Sequence, residues 1–489
     1  NEDTAQTITL NATDIDPTSD TLTWSVSGAA GHGTAAVSNT ATGASQVITY
    51  TPAANYNGSD SFIVQVSDGH GGTDTITVNA TVAAVNDTPV FTSTPTLTVN
   101  QGSAYSYTVA ATDPENNVIT TTVKSGTTLP SWLTSGTAGV ASIFAGTGAN
   151  GNVDGSASVA QFKSLRGMAF DASGNLYVAD QTNNAIRKIA PDGTVSTFTT
   201  SRVGNPTYIA FDSTTNDFYV TGQPGVVYKV SSAGAVSIIA GSDPYVAGSY
   251  GNADGIGTFA SFNYPSGIAV DANNIYIADT SGNRIRMIVK SNMSVTTLAG
   301  NGFAQSVDGT GTNAQTGASF YAPAGIALDS SGHLYVADYQ TSKIRKIDIA
   351  TGVVTTVVST GLQNPEDVIF DSSGNLLIVD DSSAIKKLAA VGGALTTVAS
   401  GLPDVPRSIA LDANGIMYTS DYFNHTIRKL TPALQVSGTP GNSDVGSHQV
   451  TLTVSDGALS TDQSFTIVVA NVNDAPTITQ GTTAPLSTN

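Results

Sequence analysis

Apolar and polar residues alternate along most of the chain, and short turns rich in Gly, Asn and Asp interrupt the alternation, a pattern that predicts strands rather than helices. Between Arg166 and Leu430 it recurs six times. The clearest copies are GMAFDASGNLYVADQTNNAIRKI (167–189), GIAVDANNIYIADTSGNRIRMI (267–288) and GIALDSSGHLYVADYQTSKIRKI (325–347). Weaker copies begin at Tyr208, Asp367 and Ser408. Each copy holds an apolar run ending in Asp, a D-x-x-G-N-like turn and an alternating strand. A polar turn and a third strand rich in Ile, Arg and Lys follow. A further run (VSTFTT, VSIIAG, VTTLAG, VTTVVS or LTTVAS) then leads into the next copy. Four strands per repeat of roughly 41 to 59 residues predicts propeller blades. One blade cannot bury both of its faces, so the copies are expected to ring a common axis.

The ring's closure is also written in the pattern. After the sixth copy a fourth strand is due near residue 435, but the chain there reads LQVSGTPGNSDVG. The missing strand lies ahead of the first copy, at GVASIFAG (139–146), which would complete the last blade and leave no open edge. These repeats, over roughly 290 residues, resemble the NHL family of propellers. The resemblance implies a fold rather than a function, because that family includes both binders and enzymes.

The flanking segments alternate too. Residues 1–88 carry TITLNATDIDPTSDTLTWSV, VITYTPAANYNGSDSFIVQVSDG and TDTITVNATVAAVNDTP, and resemble a cadherin-like or Ig-like (VCBS-type) module of bacterial surface adhesins. A second such module starts at Pro89 and reaches TLPSWLT (128–134). Its continuation, LQVSGTPGNSDVGSHQVTLTVSDG, resumes only at Leu434 and ends near VANVNDAP (469–476). The expected class is therefore all-β: Ig/cadherin-like sandwiches, the second split by an inserted six-bladed propeller. The expected divisions are 1–88, 89–135, 136–433 and 434–478, with 479–489 opening a linker or further module. The chain begins mid-pattern at Asn-Glu-Asp, and the expectation is a piece of a longer, RTX-type surface adhesin.

Charge sharpens this picture. Of 37 acids and 18 bases, the flanking segments hold 15 acids and one base, Lys124; the repeat region holds 22 acids and 17 bases. So acidic a frame repels itself unless cations neutralise it. Its acids recur at definite places: Glu2, Asp14, Asp16 and Asp68 in the first module, Asn86 and Asp87 in the linker, and Asp113, Glu115 and Asp456 in the second. Clustered oxygen ligands suit Ca²⁺, which takes six to eight of them, although Asp also favours turns for local reasons. The modules they resemble are stiffened by calcium. Cysteine is absent, so disulfides and thiolate metal sites are excluded. There is no apolar run of about 18 residues to cross a membrane as a helix.

In a propeller, the loops leading into each innermost strand share one face with the turns joining second to third strands. Three lead-in loops (147–167, 242–267 and 301–325) are long, and each contains D-G followed by a Phe: Phe162, Phe262 and Phe320. D-G turns and a buried Phe plug are the structural explanation. Tyr245 and Tyr264 are candidate contacts on these loops. The turns DYQTS (338–342) and DYFNH (421–425) add Asp338, Tyr339, Gln340, Tyr422, Phe423, Asn424 and His425. Aromatic rings stack on sugar rings while Asp, Asn and Gln match hydroxyls. Five of the six second strands end in an Asp matched by a third-strand base (Arg187, Arg286, Arg345, Lys386 or Arg428), with Gly222 in the weakest copy, which predicts a blade-internal pair. Catalysis has little support: the repeat region holds only His333 and His425, predicted on opposite faces, and one Glu, Glu366. Nucleic acid is disfavoured by the acidic charge. The expectation is an extracellular adhesin region on a bacterial cell surface, monomeric within a longer chain. Its ligand would be a glycan of a host or neighbouring cell; the alternatives are a propeller that binds a surface protein or peptide, or a secreted lyase-type enzyme.

Overall fold

The computed structural model describes residues 1–475, apart from 16–19, 39–41, 116, 118, 200, 243–249, 313–316, 391–392, 401, 404 and 474. It is all-β, with no α-helix among the described residues. The chain divides into two compact units, one made of 1–136 and 434–489 and the other of 137–433.

The first unit holds two sandwiches. In the N-terminal one, a sheet of Gln6–Asn11, Ser45–Pro52 and Gly33–Val37 faces a sheet of Thr23–Gly28, Gly58–Ser67 and Thr73–Val82. Alternation sends Trp24, Ile48, Tyr50, Phe62, Val64 and Val82 into one core. The second sandwich is assembled from both sides of the insertion. Thr120–Val123 pairs with Gly446–Ser455, which pairs with Ser460–Ala470, and Thr98–Asn100 joins in parallel. Its core mixes Val99, Tyr105, Tyr107 and Trp132 with Val436, Leu452, Phe465 and Ile467. Neither half could bury these side chains alone.

The second unit is a closed ring of six blades. Blade 1 is built from Leu165–Phe170, Leu176–Asp180, Ala185–Ile189 and Val195–Thr197, from the axis outward. Blades 2 to 5 repeat this order, starting from Pro206–Asp212, Pro265–Val270, Pro323–Leu328 and Pro365–Phe370. Successive innermost strands pack against one another, and Pro406–Leu411 of blade 6 returns to Leu165–Phe170. These strands crowd the axis. At Gly267 a Cβ would sit 2.2 Å from the carbonyl oxygen of Ala324, so only glycine fits.

Closure follows the reading of the missing strand. The sheet of blade 6 runs Pro406–Leu411, Met417–Asp421, Thr426–Gly438 and then Leu133–Ala145, so the outermost strand comes from before the first copy. Ser142 Oγ donates to the Lys429 carbonyl at 3.4 Å. Blades 3 and 4 gain a short fifth strand each, Gly255–Ile256 and Gly309–Thr310, contributed by their long lead-in loops.

Candidate functional site

A repeated buried arginine fixes the long lead-in loops. In blade 3, Arg286 is wholly buried. Its Nη1 donates to Asp279 Oδ2 at 3.0 Å and to the Ser261 carbonyl at 2.9 Å. Its Nη2 donates to Asp254 Oδ1 at 2.7 Å and the Ala253 carbonyl at 2.9 Å. The guanidinium lies 5.1 Å from the centre of the Phe262 ring. Arg187 repeats this with Asp180, Asp154 and Phe162, and Arg345 with Asp338, Asp308 and Phe320. Blades 5 and 6 keep the inner pair as Lys386–Asp380 and Arg428–Asp421. In blade 2 Gly222 stands where the Asp would be, and the Tyr228 hydroxyl accepts from the Gly204 amide instead. Burial raises Asp279 to about 6 despite its cation. The D-G acids and Phe plugs thus belong to one structural device, and the loops are anchored at their bases.

Asp338 therefore needs correcting. It is fully buried, and its carboxylate already takes Arg345, Ser306 Oγ and the Tyr321 amide. It cannot meet a ligand at the surface.

The two aromatic turns come together on the lead-in face. Tyr339 of blade 4 donates to Asp381 Oδ2 at 3.1 Å, and Asn364 donates to the same oxygen. Asp381 faces Arg407 at 3.8 Å, and Arg407 also pairs with Glu366. Arg407 and Arg166 both lie over the Tyr422 ring, at 5.7 and 5.1 Å from its centre. Phe423 packs edge-on against Tyr422 at 5.0 Å and is 62% exposed. Burial, and then the nearby charge of Arg166, pull Arg407 below the ordinary arginine range. Asn424 and Gln340 are exposed, with Asn424 Nδ2 donating to Asp421. His425 takes a left-handed backbone, and its Nδ1 accepts from the Ser164 amide. Tyr264 is 45% exposed and 6.4 Å from Tyr250, a separate aromatic pair on the blade 3 loop. Tyr245 lies outside the described residues.

The sequence does not mark Arg166 or Arg407, and it marks Glu366 only as the repeat region's one Glu. All three are the second residue of an innermost strand, where blades 2 to 4 carry Thr207, Ser266 and Ala324. Aligning the six strand starts exposes this contrast. Beneath them Tyr208 reaches across the axis from blade 2 and donates its hydroxyl to the carbonyls of Glu366 and Arg407.

In the first unit, ligand atoms of Glu2, Asp87 and Glu115 lie within 4.8 Å of one another. Glu2 is 1% exposed, and Glu2 Oε2, Asp87 Oδ2 and Asp113 Oδ2 are buried with no hydrogen-bond partner. Orphaned carboxylate oxygens of this kind carry a heavy desolvation cost unless a cation meets them. Asn86 links the linker to neighbouring loops, donating to Asp456 Oδ2 at 2.7 Å and accepting from Asn117 Nδ2 at 2.7 Å. Asp68 and Asp456 do not join the three-carboxylate group. Each closes its own S-D-G turn, Asp68 accepting from His70 and Gly72 amides, Asp456 from Ala458 and Leu459. Asp14 is exposed and also lies outside the group. Asp16 falls outside the described residues.

Comparison with known proteins places these regions. Residues 1–81 match the bacterial Ig domain family, 142–301 the teneurin NHL domain, and 320–347 the NHL repeat. The chain joins a bacterial Ig-type sandwich to an NHL-type propeller. Among full-length relatives, it is 33% identical over 139 residues to suppressor of quenching 1 of Arabidopsis thaliana, covering 27% of this chain and 13% of that protein. It is 31% identical over 156 residues to NHL repeat-containing protein 2 of Gallus gallus, covering 31% and 20%. The matches thus span a fifth or less of these relatives. Among solved structures, a Bacteroides thetaiotaomicron protein of unknown function is similar at TM-score 0.48 and 15% identity, over 88% of this chain and 94% of that one. A streptogramin B lyase gives 0.42 and 15%, over 60% and 98%. Likenesses this distant carry no functional information.

Proposed function

We propose that this chain is the ligand-binding region of a bacterial cell-surface adhesin, with the propeller as a glycan-binding head and the sandwiches as its calcium-stiffened support. One observation carries the reading. The turns DYQTS and DYFNH, distant in sequence, converge through Asp381 and Arg407 beside an exposed Phe423. An exposed ring beside polar side chains is the arrangement that stacks on a sugar and holds its hydroxyls. Phe423 would supply the stacking surface, Tyr422 and Tyr339 the polar and aromatic surround, and Gln340 and Asn424 further hydrogen bonds.

Calcium would be held by Glu2, Asp87, Asp113 and Glu115: Glu2, Asp87 and Asp113 each offer a buried, unpartnered oxygen, and Glu115 lies beside Glu2 and Asp87, a set of the hard anionic ligands it prefers. Bound there, it would offset half of the cluster's negative charge and tie the chain start, the linker and the second module's loop together. A binding role also fits the histidines. His333 pairs with Asp329 in a turn at the end of blade 4 away from the lead-in loops, and His425 sits in a turn on their side. The two cannot share one metal. The test is a glycan array probed with the intact chain, with and without EDTA. Binding to a defined glycan class supports the proposal; binding only to proteins or peptides, or to nothing, refutes it.

A further inference from the structure

The mouth of the propeller holds a cation with an open fork. Arg166 Nε donates to Gln181 Oε1 at 2.9 Å, which fixes the side chain's direction. Its guanidinium is 5.1 Å from the Tyr422 ring centre. Among the described residues no carboxylate lies within ion-pair distance of it, and its two terminal nitrogens have no hydrogen-bond partner. Arg407, its neighbour over the same ring, is by contrast neutralised by Glu366 and Asp381. Packing two guanidinium groups over one ring is costly without a counter-charge, and one of the pair lacks it.

We infer that Arg166 is the recognition point for a carboxylate-bearing sugar. The inference rests on the glycan-binding reading and narrows it to acidic glycans. A planar guanidinium offers two parallel N–H donors that match the two oxygens of a carboxylate. Here one edge is held by Gln181 and the face by Tyr422, so little side-chain freedom is lost on binding. Local charge selects the form of the anion. Glu366 and Asp381 both pair with Arg407, so the mouth is neutral as a whole and Arg166 is the cation at which a single added carboxylate finds a counter-charge. A phosphate dianion would face repulsion from Glu366 and Asp381. Phe423, next to Tyr422 and 62% exposed, lies where the sugar ring attached to that carboxylate would rest. Blades 2 to 4 offer only Thr207, Ser266 and Ala324 at equivalent positions, so the acid group would be read on one side of the axis.

The intact chain would be titrated with oligosaccharides ending in glucuronic, galacturonic or sialic acid, each beside its carboxyl-reduced counterpart. A sulfated oligosaccharide and a glutamate-rich peptide complete the panel. At least one acidic sugar should bind about tenfold or more better than its reduced form, with the preference shrinking as salt rises. Arg166→Gln should abolish the preference, and Arg166→Lys should restore part of it, since charge returns without the fork. Unchanged melting of both variants would exclude misfolding as the cause. If neutral or reduced sugars bind equally well and Arg166→Gln changes nothing, this inference fails while glycan binding stands. Preference for the sulfated sugar, or binding of the peptide alone, also overturns it. If no sugar on the panel or on a wider array binds, glycan binding itself fails and this inference falls with it.

Discussion

Replacing Arg286 by methionine probes the device that anchors the lead-in loops. The side chain is wholly buried and makes four hydrogen bonds, to two carbonyls and two carboxylates. Arg286→Met keeps much of the volume against Phe262 but strands the buried carboxylate of Asp279. Breaking a buried pair from one side costs about 3–5 kcal/mol. Adding Asp279→Asn removes the stranded charge and leaves an acceptor for the Asn263 amide, which donates to Asp279 at 2.6 Å. The double variant should therefore be more stable than Arg286→Met alone, by about 1–3 kcal/mol. Urea unfolding followed by circular dichroism measures this. Trp24 and Trp132, the chain's two tryptophans, both lie in sandwich cores, so tryptophan fluorescence reports the frame and should not shift. A loss below about 1 kcal/mol in Arg286→Met, or purely additive effects in the double variant, would refute the reasoning.

Deleting residues 139–145 should expose the edge of blade 6 and abolish cooperative unfolding of the ring, checked by calorimetry; retained cooperativity would show another strand closes it. Adding calcium at a hundredfold excess over its dissociation constant should stabilise the frame by about 2.7 kcal/mol. Glu2→Gln with Asp87→Asn should remove that gain, and the circular-dichroism transition of the propeller should stay put. Burial raises Asp367 to about 7, despite hydrogen bonds from Ser408 Oγ and the Ile409 amide. Its folded value lies above the ordinary 3.8, so between those values the native state binds the extra proton and stability falls as pH rises. The loss is on the order of 4 kcal/mol and complete above about pH 7. Asp367→Asn should flatten this profile in urea titrations at pH 4.5 and 8; an unchanged slope would assign it to other groups.

The ring and its closure were legible in the sequence because their signals are local. Strand alternation and D-x-x-G-N turns each lie within a few residues, and GVASIFAG resembles the strands it replaces. The pairing of Asp with Arg or Lys in five blades was legible for the same reason, since second and third strands are joined by a short turn. Asp338 nevertheless reads as a surface contact, because the sequence shows its partner Arg345 but not the lead-in loop that covers the pair through Ser306 and the Tyr321 amide. The Asp154, Asp254 and Asp308 ends of the same device were visible only as D-G turns. Their arginines lie more than thirty residues away. The mouth was less legible still. Arg166, Glu366 and Arg407 meet only because ring closure brings blades 5, 6 and 1 together, and Tyr208 reaches them from blade 2. In the frame, the acidic loops announced a cation-binding chemistry, but the sequence did not separate Glu2, Asp87 and Glu115, which converge, from Asp68 and Asp456, which cap turns.

The most direct test of the central claim is calorimetric titration of the intact chain, and of its Phe423→Ala variant, with a glycan selected from an array. Stacking and a few hydrogen bonds predict a dissociation constant between about millimolar and micromolar. Phe423→Ala should weaken binding by about tenfold or more with no change in melting temperature. Binding that is unaffected by Phe423→Ala but lost on altering the turns at 171–175 or 329–333, on the other face, would contradict the account.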